Sequence, residues 1–130
     1  MTIDYVARAR ALVGTRFRAQ GRGEGGLDCV GVVIAAFDLP PDAVRRDYAL
    51  HGNDLAEISA TLDRFFRRVA RTRLRAGDVM LFAAGESQLH FGVRTDGGFV
   101  HAHAGLRRVV ETPGFPEWPL LSAYRKRRSC

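Results

Sequence analysis

Apolar residues at helical spacing occupy the first half of the 130-residue chain, and short alternating stretches divided by glycine turns occupy the second. Helices followed by a meander of strands predict an α+β fold, with the helices packed on one side of an antiparallel sheet of about five strands. The length suits one hydrophobic core. With no internal repeat, low-complexity segment or linker, residues 1–130 are expected to form a single domain.

Thr2 is placed to cap a first helix running to about Val13, with Ile3, Val6, Ala7 and Leu12 inward and Gly14 ending it. Thr15 to Gln20 is short and mixed. Gly21 to Gly26 has four glycines in six positions and reads as a loop. A second helix, Cys29 to about Phe37, is apolar nearly all round, so burial is expected, and Pro40 and Pro41 stop it. Asp42 to Asn53 is polar and irregular. A third helix is predicted from an Asp54 cap to about Ala70, because Leu55, Ile58, Leu62, Phe65, Phe66 and Val69 share one helical face opposite a charged one.

From Asp78 the period shortens to two. Asp78–Ala83, Leu89–Arg94, Gly98–His103 and Leu106–Glu111 read as strands, joined by turns at Gly85-Glu86-Ser87, Asp96-Gly97-Gly98 and Ala104-Gly105. Pro113, Pro116 and Pro119 break the next stretch, and Leu120–Tyr124 adds a final strand.

A hydrophobic content of 46% with 26% charged residues describes a globular chain, and no apolar run reaches the ~18 residues of a membrane span. The start, Met1 to Tyr5, carries no secretory signature. Net charge is +6, and 19 of the 20 basic residues are arginine. That field suits polyanions such as nucleic acid or anionic wall polymers, but arginines filling ordinary surface positions account for it equally well. The one run, Arg125-Lys126-Arg127-Arg128, reads as a solvated end. No specific nucleic acid and no membrane is expected as a partner. Two cysteines make no disulfide framework: Cys29 reads as a thiol and Cys130 as incidental.

Gly21, Gly23 and Gly26, with Asp47 downstream, mimic a dinucleotide fingerprint, but the stretch before them is too polar for the buried strand that fingerprint requires. No cofactor is expected. A stronger set is Cys29, His90, His101 and His103. A thiol at a helix N-terminus sits where the dipole favours thiolate. A cysteine nucleophile needs an imidazole to share its proton and a polar group to orient that imidazole. His90 lies mid-strand, and His101 and His103, two apart, share a face of the next strand. A helix-borne thiol against a sheet-borne histidine is the papain-like arrangement. Two alternatives stay open at this level: Cys29 as an inert core thiol, and a zinc site from the histidines, which lacks a second close ligand pair.

Four blocks in order, Gly25-Gly26-Leu27-Asp28-Cys29-Val30-Gly31-Val32-Val33, Arg75-Ala76-Gly77-Asp78-Val79-Met80-Leu81-Phe82, His90-Phe91-Gly92-Val93 and Phe99-Val100-His101-Ala102, resemble those of the NlpC/P60 cysteine peptidases. The resemblance covers about Gly14 to Glu111. It implies a reduced papain-like α+β fold, with Cys29 as nucleophile, His90 as general base and His101 as the residue that orients it. It further implies a peptidoglycan stem peptide as substrate, often cut between D-glutamate and the diamino acid. Asp28 corresponds to a substrate-recognising position, and Phe17 stands near a common tyrosine; His103 is a further candidate substrate contact. Val30 replaces a frequent serine. The Asp28-Cys29-Val30-Gly31 turn without an export signal is similar to the phage-tail or prophage branch. That branch implies synthesis in the bacterial cytoplasm, incorporation in a phage-like particle and particle proteins as partners. A tail protein of this fold without activity, or a thiol amidase or acyltransferase on another substrate, are the alternatives.

Overall fold

The computed structural model describes residues 3–19, 21–23, 25–43, 55–85 and 88–127. In chain order the elements are α1 (Tyr5–Arg10), β1 (Arg22–Gly23), β2 (Gly26–Leu27), α2 (Cys29–Phe37), α3 (Leu55–Asp63), β3 (Phe66–Val69), a single 3-10 turn (Arg71–Arg73), β4 (Val79–Ala83), β5 (Leu89–Arg94), β6 (Gly98–His103), β7 (Arg108–Pro113) and β8 (Leu120–Lys126). Strands β3 to β8 form one six-stranded sheet in the order β3-β8-β4-β5-β6-β7, antiparallel throughout. Helices on a meandering antiparallel sheet make the α+β fold that the pattern predicts, with one strand more than the five expected.

The helix α2 is the spine of the core. Eight of its nine residues are buried, and it contacts α1, β5 and β6. Full burial of a side chain such as Val32 or Ile34 contributes roughly 1.5–3 kcal/mol. The left-handed Asp38 (φ 54°) ends α2 before Pro40 and Pro41 are reached. The first helix is shorter than expected and turned differently. Asp4 caps it, its Oδ1 accepting from Ala7 N at 3.0 Å; the predicted Thr2 cap lies outside the described residues. Ile3 and Ala7 are exposed, Ala9 is buried, and Tyr5 and Leu12 pack on the core. Register explains the correction: with the helix starting at Tyr5, residues 5, 9 and 12 share the inner face.

The predicted third helix ends at Asp63, and its second half is strand β3. Ile58 and Leu62 face the core as expected. Phe66, fully buried, packs edge-on against Phe37 at 5.1 Å and Tyr124 at 6.5 Å. Its backbone pairs with β8, Phe66 opposite Lys126. The spacing of Phe65, Phe66 and Val69 satisfies the helical period, and pairing with β8 overrides it. The Asp54 cap and most of the irregular 42–53 stretch lie outside the described residues, as do Asp47, Glu86, Ser87, Arg128 and Cys130.

The two central predicted strands, Leu89–Arg94 and Gly98–His103, match β5 and β6. The next begins at Arg108 and extends to Pro113, leaving Leu106 exposed in the turn. The last continues to Lys126, so Arg125 and Lys126 belong to the sheet and are no frayed end. Arg125 forks onto the buried Asp78, Nε to Oδ1 and Nη2 to Oδ2, each at 2.8 Å. Asp78 Oδ2 also accepts from Arg75 N at 3.0 Å. The predicted glycine loop is a tight ribbon, β1 paired with β2. Residues 14–18 tie it to the sheet edge: Gly14 N and Phe17 N donate to Val109 O and Arg107 O, and Arg18 N to Leu27 O.

Candidate active site

The site begins where the ribbon meets α2. Asp28 is the N-cap of α2, its Oδ1 accepting from Gly31 N at 2.7 Å. Cys29, the first helical residue, is 5% exposed and not disulfide-bonded. Gly31 is required by close approach: a Cβ there would collide with the Gly21 carbonyl. That same carbonyl accepts from Asp28 N at 3.3 Å. The ribbon is thus clamped onto the first turn of the helix that carries the thiol. Val30 points away into an apolar cleft between α2 and α3, together with Val33, Ile58, Leu62, Phe65 and Phe91.

Alternation splits β5 and β6 between two faces. Phe91, Val93, Val100 and Ala102 join the core beneath the helices. His90, paired with Phe82, and Phe99, His101 and His103 line the other face. Strands β5 and β6 share only the register pairs Val93–Val100 and Arg94–Phe99. Toward His90 and His101 the ladder between them stops, and α2 contacts both strands.

On that face His90 Nε2 and His101 Nδ1 are 2.9 Å apart. His101 Nε2 in turn lies 2.9 Å from Thr112 Oγ1 on β7. Phe99 stacks on His101 at 4.4 Å. Trp118, from the proline-rich segment after β7, stands edge-on to His90 at 5.2 Å and to His101 at 6.4 Å, and packs on Phe82 at 6.0 Å. Burial holds both rings neutral: the His90 pKa falls to about 4, with nearby His103 adding to the effect. That of His101 falls to about 3, through burial first and then His90 and His103. His103, half-buried and 5.8 Å from His101, accepts Leu106 N at its Nδ1. Its neutral form therefore carries hydrogen on Nε2.

The predicted site residues thus divide into three groups. His90, His101 and His103 form one cluster. Cys29 and Asp28 form the start of α2, which packs on the two histidine-bearing strands. Phe17, half-buried, bridges the ribbon at Leu27. Among the described residues no group of three or more His, Cys, Asp or Glu is placed to hold a metal ion. Thr112 and Trp118 escape a reading of the sequence. Thr112 lies at a strand end whose register no local pattern reveals, and Trp118 sits among prolines that signal only a break.

No known protein-family model matches the chain. It is 29% identical over 106 residues, 81% of its length, to the murein DD-endopeptidase MepS/murein LD-carboxypeptidase of Escherichia coli K12. The chain spans about half, 51%, of that relative. NlpC1 from Trichomonas vaginalis superposes on 94% of the chain, and 42% of its own, with TM-score 0.66 and 18% identity. RipD from Mycobacterium tuberculosis, described as a non-catalytic NlpC/p60 domain protein adapted to peptidoglycan binding, covers 95% of the chain and 94% of its own, with TM-score 0.59 and 15% identity. The fold is therefore that of NlpC/P60 domains.

Proposed function

We propose that the protein is a cysteine hydrolase that cleaves an amide bond in the peptides of peptidoglycan. The observation that carries this reading is the bonded pair His90–His101, set on the two strands that α2 packs against, with Cys29 at the start of that helix. The β5–β6 ladder stops short of His90 and His101, and there thiol and imidazole would meet. His90 Nε2 is engaged by His101, so Nδ1 is the atom that takes the thiol proton. Burial disfavours a charged ring, and the negative sulfur forming beside it offsets that cost, so proton transfer and attack proceed together. Sulfur bonds to the substrate carbonyl carbon, and the developing oxyanion faces the N–H groups at the start of α2. His90 then gives its proton to the leaving nitrogen as the C–N bond breaks. Water, deprotonated by His90, releases the acyl group and restores the thiol.

The similarity to a murein endopeptidase and the NlpC/P60 fold support the substrate class. The D-glutamyl–diamino acid bond implied by the resemblance and the DD and LD bonds in the relative's name are all amides of murein peptides. Mass spectrometry of products from purified muropeptides identifies which is cut. Cys29→Ala is expected to abolish product formation with the fold intact; undiminished hydrolysis by this variant refutes the proposal. Asp28 would recognise a substrate amine while capping α2, and Phe17 and His103 would line the approach. A second reading, a peptidoglycan-binding domain without activity, is favoured by the likeness to RipD over nearly its whole length; binding of muropeptides without products would select it. Delivery by a phage-like tail rests on the Asp28-Cys29-Val30-Gly31 turn, and its test is co-purification with tail particles.

A further inference from the structure

We propose that Thr112 is a positioning residue, whose hydroxyl accepts Nε2–H of His101 and so fixes the tautomer through which His101 orients His90. The inference rests on the reading of His90 as the base. His90 Nε2 faces His101 Nδ1 at 2.9 Å, leaving Nδ1 of His90 to receive the thiol proton. Before that transfer Nδ1 carries no hydrogen, so Nε2 does, and it donates to His101 Nδ1. His101 is then protonated on Nε2, which aims its hydrogen at Thr112 Oγ1, 2.9 Å away.

After the transfer His90 has hydrogen on both nitrogens, and the same His101 tautomer still accepts from it. The opposite direction would run from Thr112 O–H to His101 Nε2 and from His101 Nδ1–H to His90 Nε2. It fails before the transfer, because His90 would then carry its hydrogen on Nδ1, the atom that must take the thiol proton. One polarity survives the proton transfer, and a hydroxyl acceptor at Thr112 is what holds it.

The sheet places Thr112 for this task. Phe99 pairs with Thr112 and His101 with Val110, so Thr112 lies diagonal to His101 on the same face. Glu111, the next residue back, faces the other way and is held by Arg10 through two 3.0 Å bonds. His101 is only 3% exposed, so its N–H has little recourse to water if Thr112 is lost. The branched Thr112 side chain has few rotamers, which keeps its oxygen in place.

The test combines imidazole 15N NMR with steady-state kinetics on muropeptides. In the wild type, His90 and His101 are both expected as Nε2–H tautomers at neutral pH; an Nδ1–H His101 overturns the inference without any variant. Thr112→Val is expected to give a mixture of His101 tautomers and a fall in kcat of roughly tenfold with KM unchanged, about the effect of one hydrogen bond. Thr112→Ser should restore both. An unchanged tautomer, or an unchanged kcat despite a changed tautomer, overturns the proposal. A wild type with no activity on any muropeptide refutes the hydrolase reading, while the NMR comparison still decides the role of Thr112.

Discussion

His90 meets His101 through Nε2 and Trp118 edge-on, so the ring that would accept a proton is enclosed by neutral groups. Its depressed pKa follows from that enclosure. Trp118→Ala opens one side, and both histidine pKa values should climb from about 4 and about 3 back toward 6.5. NMR titration of the ring protons reads this directly; values that stay put would show that the sheet, and not the indole, keeps water out. At this scale the sequence is informative where chemistry is local. Cys29, His90, His101 and His103 stand out by residue type and alternation, and only the family resemblance singles out His101 from His103. Thr112 and Trp118 are ordinary residues whose meaning depends on which side chains the sheet register and the last loop bring beside them.

Among the elements, β8 holds the most consequential polar contact. Arg125 forks onto Asp78, which is 1% exposed, and its Nη2 also donates to Arg73 O at 3.2 Å. Arg125→Ala would strand a buried carboxylate, and denaturant unfolding is expected to lose about 3–5 kcal/mol. A loss below about 1 kcal/mol would mean that Asp78 is satisfied by other groups. Read as sequence, Arg125 opens a basic tail and Asp78 belongs to a strand motif. Their union requires β8 to lie beside β4, a pairing of distant segments that no local pattern encodes. The same limit explains β3: Phe65, Phe66 and Val69 satisfy a helical period, and only the partner strand selects the extended form. By contrast the span of α2 is legible, because its nine positions are apolar on every side, although left-handed Asp38 ends it before the prolines that signal its stop.

For the whole molecule, the buried histidines set how stability responds to acid. Their pKa values are near 4 and near 3 in the fold and about 6.5 when unfolded, so between those values the unfolded chain binds more protons. Stability therefore rises with pH through this window and is lost as pH falls from about 6.5. The salt-bridged Glu111, whose pKa is lowered by its bond to Arg10, adds acid sensitivity only below the normal carboxylate range. Melting temperature should thus drop between pH 7.5 and pH 5, and His90→Gln should flatten the drop; a flat wild-type profile would contradict the buried neutral pair. The four strands from β4 to β7, and the shared face of His101 and His103, follow from pattern alone; that this face lies away from the helix-side core does not. What pattern does not contain is the stop of the β5–β6 ladder short of His90 and His101, where the proposed meeting of thiol and imidazole falls. That meeting is the centre of the account, and the pH dependence of Cys29 alkylation by iodoacetamide, read on the Cys29 peptide by mass spectrometry, tests it most directly. Alkylation is expected well below the ordinary thiol pKa of about 8.5 in the wild type and at that ordinary value in His90→Gln; a wild-type profile that follows an ordinary thiol, or one that His90→Gln leaves unmoved, would contradict it.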